Sequence, residues 1–270
     1  MTFQKTLTSA ANDELKHLGR LLTNARERRK HGQLVLEGLH LLQSAIDAGL
    51  GIDAVYVNES AQHHGELLPL LARLDRRLAV LVATPVLAKV TALATPAEVL
   101  TVCRRPAAQP TAAGAPCVML DDVQDPGNLG TILRCAAAAN VRDVYLSKGC
   151  VDVYSPKVLR AGMGAHFALN IHEAADLPAA LAAWPGRKLV THLEGSVSLY
   201  GQDLAGDVAF VFGNEGAGVS ADVLAAADLR VRIPMPGHAE SLNVAMAATV
   251  CLFERVRQLE QRLTLKLRDY

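Results

Sequence analysis

Five short, largely apolar runs constrain this chain more than any other feature. They are CVMLDDV at 117–123, DVYLS at 143–147, KLVTHLE at 188–194, VAFVFG at 208–213 and LRVRIP at 229–234. Helical patterns lie between them, among them GNLGTILRCAAAANV at 127–141 and SPKVLRAGMGAH at 155–166. A strand that is apolar at successive positions must be buried on both faces, and connecting helices supply the cover. The pattern predicts a parallel sheet wrapped by helices over the C-terminal half. In such sheets ligands bind beyond the carboxyl ends of the strands. A final helix is predicted from Ser241 to about Gln258 or further.

The stretch RRPAAQPTAAGAP at 104–116 breaks the periodicity on both sides and reads as a linker. Before it, a helical pattern around Glu14 to Thr23 is followed by GQLVLEG as a strand and LHLLQSAIDAGL as a helix ending at Gly49. IDAVYVN and RLAVLVAT read as strands, and LLPLLARLD and PVLAKVTALA as helices. The predicted division is a smaller α/β domain at 1–104, a linker at 105–116 and the parallel-sheet domain at 117–270.

Net charge is zero, so global electrostatics predicts no nucleic-acid partner, and any such surface must be local. One basic run qualifies: Lys16, Arg20, Arg26, Arg28, Arg29 and Lys30, opposed there by Glu27. By itself such a run means a solvated helix face; beside an RNA partner it means phosphate contact. The five cysteines are scattered, with no C-x-x-C and no zinc spacing, which predicts reduced thiols and no metal. The start lacks a signal-peptide core, and no apolar run reaches membrane-spanning length. A cytoplasmic protein without membrane contact is expected.

Three loops that follow predicted strands share glycine and asparagine: QDPGNLGTILR, NEGAGVS and MPGHAESLN. They should gather on one sheet edge, the ordinary place for a site. GNEGAG is not the G-x-G-x-x-G fingerprint, and no acidic residue follows the next strand to hold a ribose, which excludes a Rossmann nicotinamide site. The P-loop and G-x-S-x-G motifs are absent as well.

Three ordered segments, DDVQDPGNLGTILRCAAAANV, FVFGNEGAGVS and IPMPGHAESLNVAMAATVCLFE, resemble the three motifs of the SpoU (TrmH-type) RNA ribose 2'-O-methyltransferases. SKGCVDVYSPKVLRAGMGAHF extends the likeness between the first and second. SAANDELKHLGRLLTNARERRKHGQLVLEG is similar to the substrate-binding domain that precedes the catalytic one in ribosomal-RNA members. Where relatives carry Thr-Pro-Gln-Gly, this chain has TPAEVLTV from Thr95.

The resemblance implies a SPOUT-like sheet whose C-terminal segment forms a deep trefoil knot, and a homodimer. It implies S-adenosylmethionine as cofactor, with no metal, and a ribose 2'-OH of structured RNA as acceptor. The expected substrate is 23S ribosomal RNA; transfer RNA and a non-catalytic RNA-binding relative are the alternatives. Cofactor contacts are implied at Gly213, Gly218, Ile233, Met235 and Leu242. Catalytic positions are implied at Asn128, Arg134, Glu215, Ser241 and Asn243, and RNA contacts at Arg26, Arg28, Arg29 and Lys30. Arg134 gripping RNA at the reacting ribose competes with a salt bridge to Asp121, Asp122 or Glu215, because a charge inside an apolar helix is costly unpaired. Asn128 would orient Arg134 or the ribose. Ser241 and Asn243 compete for plain helix capping, which accounts for one of them.

Overall fold

The computed structural model describes residues 3–91, 96–110 and 114–268. The chain divides into two compact units. One is Met1–Ala107 together with Tyr154–Phe167; the other is Ala108–Val153 together with Ala168–Tyr270. This differs from the division predicted from sequence. Helix Pro156–Gly162, expected in the second half, packs in the first unit against strand Gln33–Glu37. The Arg160 guanidinium bonds the buried Glu37 carboxylate, which also accepts from Thr91 Oγ1 at 3.0 Å. A buried carboxylate needs such partners, and Arg160 supplies the charge.

In the first unit a five-stranded mixed sheet runs in the order Thr6–Leu7, Ala79–Val82, Ile52–Asn58, Val99–Arg104, Gln33–Glu37. Helix Asp13–Thr23 buries Leu15, Leu18, Leu21 and Leu22, spaced three and four apart, against one cluster of that core. Asn12 caps its start by accepting from the Glu14 amide at 2.9 Å. Asn24 repeats the device for helix Ala25–His31, accepting from the Arg26 amide, and each such cap contributes about 1 kcal/mol. The helix sought in PVLAKVTALA is shorter, Thr84–Leu87, and its last residues, Ala92 to Ala94, lie outside the described ones, as does Thr95.

Arg28 departs from its expected role. It is buried, and its Nη1 donates to the carbonyl oxygens of Leu21, and of Leu22 at 3.2 Å. Those carbonyls end the preceding helix and have no partner within it, so the guanidinium closes that end. Arg26, Arg29 and Lys30 are exposed. The solvent-facing basic surface therefore lacks Arg28.

The second unit holds a seven-stranded sheet, parallel throughout: Val197–Ser198, Leu229–Arg232, Arg187–Thr191, Val208–Phe212, Cys117–Leu120, Asp143–Leu146, Asn170–His172. The central strand Val208–Phe212 is buried at all five positions, as an apolar run of that length requires. The two outermost strands, two and three residues long, carried too little pattern to be read in advance. The last helix, Val244–Arg268, packs on helix Pro126–Ala138, where Cys135 Sγ lies 3.0 Å from Thr249 Oγ1. All five cysteines are free, and burial pushes the Cys103 and Cys251 thiols up to about 12.

Candidate active site

Because the strands run parallel, the loops after Leu120, Phe212 and Arg232 emerge on one edge of the second unit's sheet. The loop after Phe212 is folded back on itself. Asn214 and Gly218 exchange both backbone hydrogen bonds, at 2.8 and 3.0 Å. Asn214 Oδ1 accepts from the Gly216 and Ala217 amides, each at 2.9 Å, and its Nδ2 donates to the Asp122 carbonyl at 2.8 Å. The buried Asp121 accepts from the Ser220 amide at 2.8 Å. The first loop thus holds the second at both ends. Gly213 permits the fold: a Cβ there would lie 2.3 Å from the Gly218 carbonyl carbon and 2.4 Å from the Val219 nitrogen.

The carboxylate of Glu215 reaches the start of helix Pro126–Ala138. It accepts from the Gln124 and Asp125 amides at 3.3 and 3.1 Å and from Asn128 Nδ2 at 3.0 Å. Asn128 Oδ1 in turn accepts from Asn243 Nδ2 at 2.8 Å. Asn243 Oδ1 caps the last helix, accepting from the Ala245 amide at 2.9 Å and the Met246 amide at 3.3 Å. The direction of this relay is determined from both ends. Desolvation pushes the Glu215 carboxyl up, but the bonds from Asn128 and from backbone amides outweigh it, and its pKa settles below the ordinary glutamate value. The carboxylate is ionised at neutral pH and only accepts, so Asn128 must present its amide nitrogen. Helix amides only donate, so Asn243 must present its oxygen to them.

Asn243, not Ser241, is therefore the capping residue, and the helix begins three residues later than its apolar pattern suggested. Capping uses one face of the Asn243 amide and leaves the other for Asn128. Ser241 is exposed.

The salt bridge set against an RNA role for Arg134 is not formed. Arg134 is exposed, and among the described residues it forms no ion pair or hydrogen bond with Asp121, Asp122, Glu215 or any other group. Asn128 does not orient it. Glu215 is held by Asn128 and backbone amides instead.

A cleft of about 710 Å³ lies against this relay. Its lining includes every residue expected to meet the cofactor: Gly213, Gly218, Ile233, Met235 and Leu242. Glu215, Ser241 and Asn243 also face it; Asn128 and Arg134 are not part of the lining. Four lining residues of one segment, Thr191, His192, Leu193 and Glu194, were missed, because KLVTHLE carries no glycine–asparagine signal. His192 Nδ1 lies 3.0 Å from the Glu194 carbonyl, an acceptor, so Nδ1 is the donor of that bond.

The cleft has the size of a cofactor site. A backbone wall that no side chain can enter at Gly213 suits recognition of a flat base edge. The carboxylates of Glu194 and Glu215 suit a cationic group. Fold and cleft define a methyltransferase of the SPOUT-like class.

The chain belongs to the SpoU rRNA methylase family. The model of that family matches residues 115–253, and that of the MRM3-like substrate binding domain matches residues 12–101. An uncharacterised tRNA/rRNA methyltransferase of Synechocystis is 38% identical, covering 94% of both chains. The 23S rRNA (guanosine(2553)-2'-O)-methyltransferase RlmP of Bacillus subtilis is 31% identical over 92% of this chain and 98% of its own. Among solved structures, an AdoMet-bound rRNA methyltransferase from Sinorhizobium meliloti superposes with a TM-score of 0.81 at 31% identity, covering 95% of this chain and 99% of that one.

Proposed function

We propose that this protein transfers the methyl group of S-adenosylmethionine to a ribose 2'-OH of 23S ribosomal RNA, as a cytoplasmic homodimer. The relay Glu215–Asn128–Asn243, set against the cleft, carries the reading, because it joins all three motifs at one point. The names of the RlmP and Sinorhizobium relatives support the cofactor and the RNA class. When bound, the cofactor supplies a methyl on a sulfonium that is already a good leaving group. The protein has to position the 2'-OH in line with it and ease removal of the proton.

Gly213, Gly218, Ile233, Met235 and Leu242 hold the cofactor along the cleft wall. Asn128 and Asn243 keep the two helix starts in register. Ser241 faces the acceptor side. Arg134, which pairs with no group among the described residues, grips the phosphate beside the reacting ribose and favours ionisation of the hydroxyl. No helix among the described residues is long and apolar enough to cross a membrane. The sheet order supports a knotted C-terminus. After the strand at Leu229–Arg232 the chain returns across the sheet, to the helix that follows Cys117–Leu120.

Mapping 2'-O-methyl positions on ribosomal and transfer RNA, with and without the gene, tests the reading. One site in 23S RNA should disappear. Loss of a transfer-RNA site instead would change the substrate, and no difference at all would remove the activity.

The dimer rests on the last helix. It buries Ala245, Ala248, Cys251 and Leu252 on one side but exposes Met246 and Phe253, at 62% and 44%, on another. With the half-buried Val250 these follow a four-and-three spacing along the helix. Sedimentation should give a dimer for the wild type, and Met246→Asp with Phe253→Asp should give a monomer without methyl transfer. A fully active monomer would overturn this.

For the basic surface, alanine at Arg26, Arg29 and Lys30 together should weaken RNA binding and reduce the salt slope by about 1 per lost phosphate contact. Arg28→Ala should lower the melting temperature instead. A triple variant with an unchanged slope would make that surface merely solvated.

A further inference from the structure

The first unit brings together three metal-ligating side chains that lie apart in sequence. His17 comes from helix Asp13–Thr23; Glu27 and His31 come from helix Ala25–His31. One ring nitrogen of each histidine and one carboxylate oxygen of Glu27 all lie within 4.8 Å of one another. The rings of His17 and His31 meet edge to face, with centroids 4.7 Å apart. Glu27 and His31 are one helical turn apart and so share a face. Glu27 Oε2 to His31 Nε2 is already 3.6 Å. Ligand atoms around a tetrahedral zinc ion, at bond lengths near 2.0–2.2 Å, sit about 3.3 Å apart. Two of the three therefore need almost no movement.

The surroundings of His17 add a second, independent observation. His17 Nε2 lies 3.0 Å from Gln33 Oε1, and Gln33 Nε2 lies 2.7 Å from Asp53 Oδ2. Asp53 also accepts from Arg104 Nε at 3.3 Å. The carboxylate accepts, so Gln33 donates its nitrogen to it and turns its oxygen to His17. Nε2 of His17 then carries the proton, and the other ring nitrogen keeps a lone pair. A histidine with one nitrogen donated to a fixed carbonyl is the usual outer-shell arrangement of a metal ligand.

We infer that His17, Glu27 and His31 bind one divalent transition-metal ion of the zinc class. Two imidazoles and one carboxylate suit zinc, cobalt or nickel rather than magnesium or calcium, which favour all-oxygen sites. A water completes the fourth position. The ion ties together the two helices, the second of which carries Arg26, Arg29 and Lys30. It also replaces Arg20, whose Nε is 3.8 Å from the same Glu27 oxygen. No zinc spacing is visible along the chain because His17 lies ten residues before Glu27, across the helix junction at Asn24.

The test uses the full-length protein freed of metal. Calorimetric titration with zinc chloride should show one ion per chain and a rise in melting temperature. Cobalt should give a spectrum of nitrogen and oxygen ligation with no thiolate-to-metal charge-transfer band. Gln33→Leu, which removes no ligand, should weaken zinc binding about 10–100-fold. His17→Ala and His31→Ala should each weaken it further. Their metal-free melting curves should match the wild type; if either variant fails to fold, Glu27→Gln serves in its place. Binding of undiminished affinity in these variants, a thiolate band, or no heat of binding would overturn the site.

Discussion

Arg134→Lys should be folded, competent for S-adenosylmethionine and nearly inactive. The structure removes the competing explanation for this residue, because Arg134 is exposed and pairs with no described group. If it served stability, its loss would strand a carboxylate; here there is none to strand. Surface changes of this kind move stability by less than about 0.5 kcal/mol. Methyl transfer should behave differently. Removing one preorganised donor to a developing negative charge lowers turnover about 100- to 1000-fold, and Arg134→Ala should fall in that range. Lysine keeps the charge but loses the planar fork that holds a phosphate at two points. Single-turnover methyl transfer to RNA, read beside cofactor calorimetry and melting curves, separates the cases. An active Arg134→Lys enzyme would leave charge alone as the role. Loss of melting temperature in step with activity would return Arg134 to a structural part.

Gly213→Ala should abolish most cofactor binding while the sheet remains folded. The added methyl would meet backbone, not a side chain that can swing away: the Gly218 carbonyl carbon at 2.3 Å and its oxygen at 2.4 Å. The loop from Gly213 to Val219 would have to open, and it forms one wall of the cleft. A distortion of about 3 kcal/mol, ordinary for a forced backbone shift, corresponds to roughly a hundredfold in dissociation constant. Gly216→Ala is the matched control. It lies in the same loop, but a Cβ there has nothing nearer than Asn214 Oδ1 at 3.6 Å, and its affinity should stay near wild type. Calorimetry with S-adenosylmethionine and circular dichroism on both variants decide it. Equal affinities would detach the loop from the cofactor.

Much of this was legible in the residues alone. Apolar runs such as VAFVF at 208–212 require burial on both faces, and a parallel sheet is what provides it. Glycine and asparagine after three of those strands marked the edge where the cleft lies. The three motifs, read in order, named the residues that line it: Gly213, Gly218, Ile233, Met235 and Leu242. All of that information is local, held in the periodicity and punctuation of single segments.

What tertiary structure alone decided concerns pairing across long separations. Arg28 and Arg29 are adjacent in sequence, yet one is buried on the Leu21 and Leu22 carbonyls and the other faces solvent; helix phase and the neighbouring helix end determine which. Arg134 sits in an otherwise apolar helix, where a salt bridge was one reading, but its position on the helix surface leaves it exposed. Helix Pro156–Gly162 joined the first unit because the Glu37 carboxylate, buried there, required a cation that Arg160 brings from 123 residues away. Glu215, Asn128 and Asn243 are 87 and 115 residues apart along the chain at their two contacts. A hydrogen bond has a direction and a length but leaves no periodic trace in sequence. The sequence therefore determined which segments form strands, helices and the site edge, and the folded chain determined which side chains meet there and which face water.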